Sequence, residues 1–327
     1  MNTEETFDVK PIGRLFAVLS YFTKINLSGL MKNFSRKKAY DKGIRGILFL
    51  CASLSILTTI GIISILIFET VDFFKEVHIF DFLFDSQWTP LFYEKHFGIM
   101  SLLCGTILVT LIAMLVAIPL GILSAVYLNE YAGERFRSIA KPVLEILAGI
   151  PTVVYGYFAL FFVTPLLQKI VPGLSGFNAL SPGIVMGIMI LPMISSLSED
   201  AMRAVPKSLR EGAYAMGLTK MQVAFRVVIP AATSGIVSSF ILGMSRAIGE
   251  TMIVTIASGQ MPRLTFDPRV PIETITAYIV QVSLGDTPVG TIEYNTIFAA
   301  GMTLFIFTFM LSIFSHWLKK RFREEYS

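Results

Sequence analysis

The sequence predicts an all-α membrane protein of six transmembrane helices with both termini in the cytoplasm, and three observations carry that prediction. Hydrophobic residues make up 54% of the 327 and charged residues 15%, a balance too apolar for a soluble domain of this length. The apolar residues gather in six stretches, 47–68, 97–128, 146–168, 181–198, 230–258 and 296–318, each near the ~20 residues that a helix needs to cross a hydrocarbon core of ~30 Å. Lys and Arg are distributed unevenly between the intervening segments. Nine lie in 1–45, three in 129–141, five in 199–229 and four in 319–327, against two, one and two in 69–96, 169–180 and 259–295. Basic residues are retained on the cytoplasmic side, which puts the first group inside and the second outside. The net charge of +4 therefore reflects topology, and the partner it implies is a bilayer, with no nucleic acid.

Taken in order, residues 1–45 place Ile12, Leu15, Phe16, Leu19 and Phe22 at helical spacing beside Lys10, Arg14 and Lys24, then run into SRKKAYDKGIRG. This reads as an interfacial amphipathic helix with a basic anchor, or as a disordered tail. The first span follows this charged stretch, so it is a retained anchor and not a cleaved signal. Together with 69–96 it forms a segment 46–96. Residues 69–96 are acidic and aromatic, with Asp72, Asp81, Phe73, Phe82 and Trp88, which suits a short interfacial helix, a docking surface or an aromatic belt. The second span is long and carries Pro119 and Gly121, predicting a kink or an extension that ends near Glu130.

In the third span, Pro151 has no amide donor and clashes with the preceding turn, freeing carbonyls near Leu147. Such backbone is tolerated at membrane depth only under protein or a watery cavity, so Gly149 and Pro151 mark a helix break lining a cavity. Glu145, at the cytoplasmic end, is solvated or in a functional contact. Pro182, Gly183, Gly187 and Pro192 in the fourth span let helices approach closely. Segment 259–295, with Pro262, Pro268, Pro271 and Pro288, reads as an ordered loop or a short re-entrant segment. The sixth span ends at Trp317 and the basic tail 319–327. Cys51 and Cys104 read as buried small hydrophobes, and His78, His96 and His316 do not cluster, so no metal site is expected.

Two constellations carry chemistry. Segment 199–229 breaks at Gly217, with Leu209, Ala213 and Met216 on one helical face before it and Leu218, Val223, Ala224 and Val227 on another after it. Two short helices joined at a glycine form a knob that fits a groove on a soluble partner, or an ordinary loop. The fifth span carries Arg246 and Glu250 where a charge costs roughly 2.5–3.5 kcal/mol. Counted from Pro230, Arg246 lies roughly 24 Å along a continuous helix, and Glu250 at i+4 shares its face with Ser239, Gly243 and Ile253. The pair either locks the bundle or serves a passing oxyanion, Arg246 offering a bidentate fork and Glu250 holding it in place. No G-x-x-x-x-G-K-[ST] loop occurs, so the chain is no ATPase and needs no cofactor.

Glu211, Gly212 and Ala213, three residues, Gly217, nine residues, then Val227, Val228, Ile229 and Pro230 resemble the EAA signature of ABC-importer permeases. That signature reads E-A-A, three residues, G, nine residues, I, one residue, L-P. Gly212 replaces an Ala, and Val227 and Ile229 are conservative departures. Residues 97–121, 144–156 and 245–254 are similar to PstC-type permeases of high-affinity phosphate importers, and the resemblance runs over 97–318. It implies a MetI-like type I permease fold in which 199–229 couples to two copies of a cytoplasmic ATPase through Glu211, Gly212, Ala213, Gly217 and Pro230. It also implies a heterodimer with an A-type permease, an extracytoplasmic phosphate-binding protein, and Arg246 and Glu250 as transport-critical charges of the cell-membrane path. Alternatives are another oxyanion, molybdate or sulfate, or a secondary transporter in which Glu250 carries protons. An intramembrane enzyme lacks any Ser/His or paired-Asp arrangement.

Overall fold

A computed structural model describes residues 27–321. Among them the regular secondary structure is helical apart from two isolated bridges, Trp88 with Phe97 and Gly259 with Ile272. The predicted amphipathic helix around residues 10–24 and the end of the basic tail lie outside the described residues. The chain divides into two units, 1–64 and 65–327. Helix α1 (Leu27–Glu76) contains the first span. Its Cys51 is exposed, contrary to the sequence expectation, because a helix made for lipid carries apolar residues on every side. Cys104 is buried as expected, its Sγ donating to Thr265 O at 3.1 Å.

Segment 69–96 holds a short helix, α2 (Ile79–Phe84). Its aromatics do not all form an interfacial belt. Phe73, Phe82 and Trp88 are buried and meet edge to face, Phe73 on Phe82 at 5.7 Å and Trp88 on Tyr278 at 5.0 Å. Edge-to-face contact matches ring quadrupoles and adds to the area buried, so this outer segment shares a core with Leu102, Ile275, Tyr278 and Ala300 of the helices beside it.

Helix α3 (Met100–Tyr131) runs through Pro119 and finishes in a π-helical turn, Tyr127–Tyr131, which includes Glu130. It packs along α6 (Leu180–Arg203). A Cβ on Gly187 would stand 2.7 Å from Ala113 O, and one on Gly183 2.7 Å from Ile112 Cβ. The small residues predicted to allow close approach do so.

Between them, α4 (Glu134–Gly149) and α5 (Thr152–Gln168) meet at 86°. The predicted break at Gly149 and Pro151 is present, but it is a right-angled corner, so 146–149 belong to the helix before the span. A residue preceding proline is pushed out of the α region, and Ile150 and Pro151 are both extended, with ψ 131° and 135°. The carbonyl freed at Leu147 accepts a hydrogen bond from the Tyr155 hydroxyl at 2.6 Å. Helix α4 buries no residue and alternates apolar with charged positions, as an interfacial helix does.

After α6 come α7 (Lys207–Ala215) and α8 (Lys220–Ala231), the latter containing a π turn. A 73° bend at Ala232 leads into α9 (Thr233–Ile248), followed by α10 (Met252–Ala257). Span five therefore starts at Thr233, with Pro230 still in the preceding helix, and is interrupted at residues 249–251. Helices α11 (Ile275–Leu284) and α12 (Ile292–Arg321) complete the described chain. Among the described residues four helices are individually long and apolar enough to cross a bilayer, and six spans are reached when each bent pair is one span.

Candidate functional site

The knob forms as its sequence dictates. Gly217 closes α7 with φ +81°, a left-handed conformation that costs other residues roughly 1–2 kcal/mol. Thr219 then starts α8 with a reciprocal capping box: Gln222 N–H donates to Thr219 Oγ1, and the Gln222 side chain accepts from Thr219 N–H at 2.9 Å. Val223, Ala224 and Val228 pack against Ala125, Val126, Met202 and Val205 at the inner ends of α3 and α6. The other side faces outward. Leu209, Tyr214, Met216, Met221 and Phe225 are exposed, Met216 at 82%, and so are Glu211, Gly212, Gly217 and Pro230, with Ala213 partly covered. An exposed apolar row on a two-helix knob is a surface for a soluble partner.

Charges fix the knob to the span ends. Arg210 on α7 pairs with Glu130 at the end of α3 and donates from Nη2 to Met202 O at 2.7 Å. Arg137 donates from Nε to Leu128 O at 3.1 Å, covering a carbonyl left open by the end of α3. Glu199, wholly buried on α6, has Arg203 Nη2 at 2.9 Å, Lys141 Nζ at 2.9 Å and Arg137 Nε at 3.8 Å. Lys141 stands at ion-pair distance without the alignment of a hydrogen bond, since Glu199 Oε2 has no hydrogen-bond partner. A buried carboxylate is retained only when paired, and this one ties α4 to α6. Glu145 and Lys141 line the adjoining cavity of about 320 Å³ with Leu144, Ala148 and Glu199. Gly149 and Pro151 are not among its lining residues. Sequence reading missed Glu199 and its cations, because a carboxylate at a span end looks solvated.

Arg246 and Glu250 occupy span five as predicted, but not as a pair. Helix α9 stops at Ile248, so the two are not successive turns of one helix. The Glu250 carboxylate turns to α10, where Oε1 accepts from the N–H groups of Met252 at 3.2 Å and Ile253 at 3.4 Å. These are donors that a helix start leaves open. Its carbonyl accepts from Thr276 Oγ1 at 2.7 Å. Glu250 is buried, whereas Arg246, in the last turn of α9, is exposed and has no ion pair among the described residues. A guanidinium at a helix C-terminus is favoured by the backbone dipole and keeps all its donors for another group.

Residues 117–324 match the family model described as binding-protein-dependent transport system inner membrane component. The chain is 35% identical over 241 residues to a probable ABC transporter permease protein, YqgH, of Bacillus subtilis, covering 74% of this chain and 78% of the relative. It is 34% identical over 261 residues to the phosphate transport system permease protein PstC of Mesorhizobium japonicum, covering 74% and 79%. A probable PstC of Methanocaldococcus jannaschii is 30% identical over 250 residues, covering 72% and 79%. In fold, the chain resembles a permease of a bacterial ABC transporter that imports alginate, with TM-score 0.57 and 18% identity over 84% of this chain and 96% of that one. It also resembles the MetNI methionine ABC transporter in an inward-facing conformation, with TM-score 0.51 and 17% identity over 69% and 95%.

Proposed function

The chain belongs to the binding-protein-dependent transport system inner membrane component family, and from that premise we propose that it forms half of the path of an ATP-driven phosphate importer. Members are multi-pass subunits of the cell membrane that work with a separate ATPase and a substrate-binding protein. The chain is thus a transport subunit and not a catalyst, and the gradient-driven alternative loses its basis. Phosphate as cargo is supported by the PstC relatives, and an A-type permease is the partner that completes the pore. Two ATPase copies engage the pore, one of them at the exposed knob face around Glu211, Gly212, Ala213 and Gly217.

One observation carries the residue assignment. Arg246 keeps its donors uncommitted at a break in span five, and guanidinium geometry matches a phosphate oxyanion bidentately. Glu250 has a different role from the one its spacing suggested. It caps α10 and so fixes the break that presents Arg246. Replacing Arg246 with Ala abolishes labelled-phosphate uptake while membrane level and ATPase co-purification stay at wild-type values. Normal uptake removes Arg246 from the path. Competition by sulfate and molybdate separates phosphate from the other oxyanions, and suppression of uptake by competing sulfate or molybdate would replace the cargo.

A further inference from the structure

Helix α4 is joined to the inner ends of α3 and α6 by two side chains one turn apart, Arg137 and Lys141. The helix buries none of its own residues, and Leu147 in its last turn is the residue it packs on the core. Farther along, a cavity of about 320 Å³ is lined by Leu144 and Ala148 of α4 together with Pro192, Met193 and Ser196 of α6, so packing does not clamp the two helices there. Charge does. Lys141 Nζ stands 2.9 Å from Oε2 of the wholly buried Glu199, and Arg137 Nε stands 3.8 Å from Oε1 while donating to Leu128 O of α3 at 3.1 Å. Attraction to a buried carboxylate is screened little by solvent or salt.

The knob is fixed at the same place. Arg210 of α7 pairs with Glu130 and donates to Met202 O, three residues beyond Glu199 on α6. At its other end α4 runs into the corner at Ile150 and Pro151, after which α5 packs on α10. A Cβ on Gly156 would stand 2.9 Å from Ile256 Cδ1 and 3.2 Å from Met252 O, and Met252 directly follows the break at 249–251 beside Arg246. A run of contacts carries a movement only where it joins separate elements, and the cations on Glu199 differ in this. Arg203, hydrogen-bonded to Oε1 at 2.9 Å, lies one turn along the same helix and joins nothing. Lys141 joins two helices.

We propose that Lys141 is a positioning residue for transport: by holding α4 to α6 through Glu199, it makes a movement of the knob act on α5 at the Ile150–Pro151 corner, and so on the break beside Arg246. The inference rests on the reading of the chain as an ATP-driven importer. Without the Lys141 charge, α4 is an amphipathic helix that follows the bilayer surface, and the knob's movement ends at α6.

The test uses the whole transporter with its ATPase and binding protein in proteoliposomes, and reads labelled-phosphate uptake and ATP hydrolysis in the same vesicles. Lys141→Met leaves Arg203 and Arg137 beside Glu199. Phosphate taken up per ATP hydrolysed falls by about fivefold or more, the lower end of a coupling between sites, and ATPase co-purification stays at the wild-type level. Arg203→Met takes a cation from the same carboxylate and spares the joint, so it lowers the melting temperature and keeps the ratio. Lys141→Arg keeps the charge and the ratio. An unchanged ratio in Lys141→Met, or an equal fall in Lys141→Met and Arg203→Met, reduces Glu199 to a structural ion cluster and overturns the proposal. Should Lys141→Met not accumulate in the membrane, Lys141→Gln is read in the same way. A second readout does not depend on the cargo. In a Cys51→Ser background, Tyr157→Cys on the exposed side of α5 reports that helix by its thiol-labelling rate with and without ATP and vanadate. The rate changes on trapping, and adding Lys141→Met abolishes the change. A change of full size in the presence of Lys141→Met overturns the role of Lys141 and leaves the importer reading standing. Uptake of sulfate or molybdate in place of phosphate changes the cargo, and the same ratio is then read with that anion.

Discussion

The two ends of the molecule treat a buried carboxylate in opposite ways. At the inner end Glu199 is wholly buried with three cations inside 4.0 Å, and it joins the interfacial helix α4 to a spanning helix. At the outer end Glu273 is equally buried, has no cation in contact, and keeps its proton near neutrality. Where two elements are joined, the charge is neutralised by the protein itself. The same residue type left without a cation is neutralised by its own proton. A residue's burial alone does not distinguish these roles, but its partners do.

Stranding the paired acid tests that contrast most severely. Combining Lys141→Met with Arg203→Met leaves only Arg137 near Glu199 and costs about 3–5 kcal/mol, the range for breaking a buried pair from one side. Thermal unfolding in nanodiscs reads it, and a loss below about 1 kcal/mol would mean that Glu199 is not neutralised as described. The unpaired acid gives the next effect. The unfolded chain releases the Glu273 proton near the ordinary value of 4.5 and the folded chain near 8. Stability therefore falls as pH rises between those values, by up to about 1.4 kcal/mol per unit, and levels off above them. Glu273→Gln removes that slope and is the more stable protein at pH 8. Identical pH profiles for the two would place Glu273 in the same class as Glu199.

Smaller effects probe the knob that the paired end supports. Gly217→Ala forces a Cβ into the left-handed region at φ +81° with open space around it, so the cost is backbone strain of about 1–2 kcal/mol. ATPase stimulation by substrate falls with it, and an unchanged melting temperature would show that the joint relaxes freely. Thr219→Ala deletes the capping box for about 1 kcal/mol, and Thr219→Ser restores it.

How far each of these features could be read beforehand depended on how local its cause is. Gly217 and the two short helices around it were legible, because a glycine joint and a cap are set within a few residues. Pro151 announced a break, but its 86° angle depends on packing that the local sequence does not encode. Arg246 and Glu250 were found, yet their relation was misjudged. Helical spacing assumes an unbroken helix, and Gly249 is too weak a signal to announce the interruption. Glu199 escaped notice because its cations lie on α4, more than fifty positions earlier, except for Arg203. Glu273 escaped because a carboxylate in a proline-rich loop reads as solvated until the fold covers it.

The glycine contacts between α3 and α6 restrict how the transporter can change shape. With Gly183 and Gly187 seated against the backbone and side chains of α3, a shift of even one residue, about 1.5 Å along the axis, drives neighbouring side chains into carbonyls. These two helices must travel as a single block. Any swing between inward and outward access then has to turn on the non-helical corners at Ile150–Pro151, Ala232 and Gly249–Thr251, the last of which carries Arg246 on its shoulder.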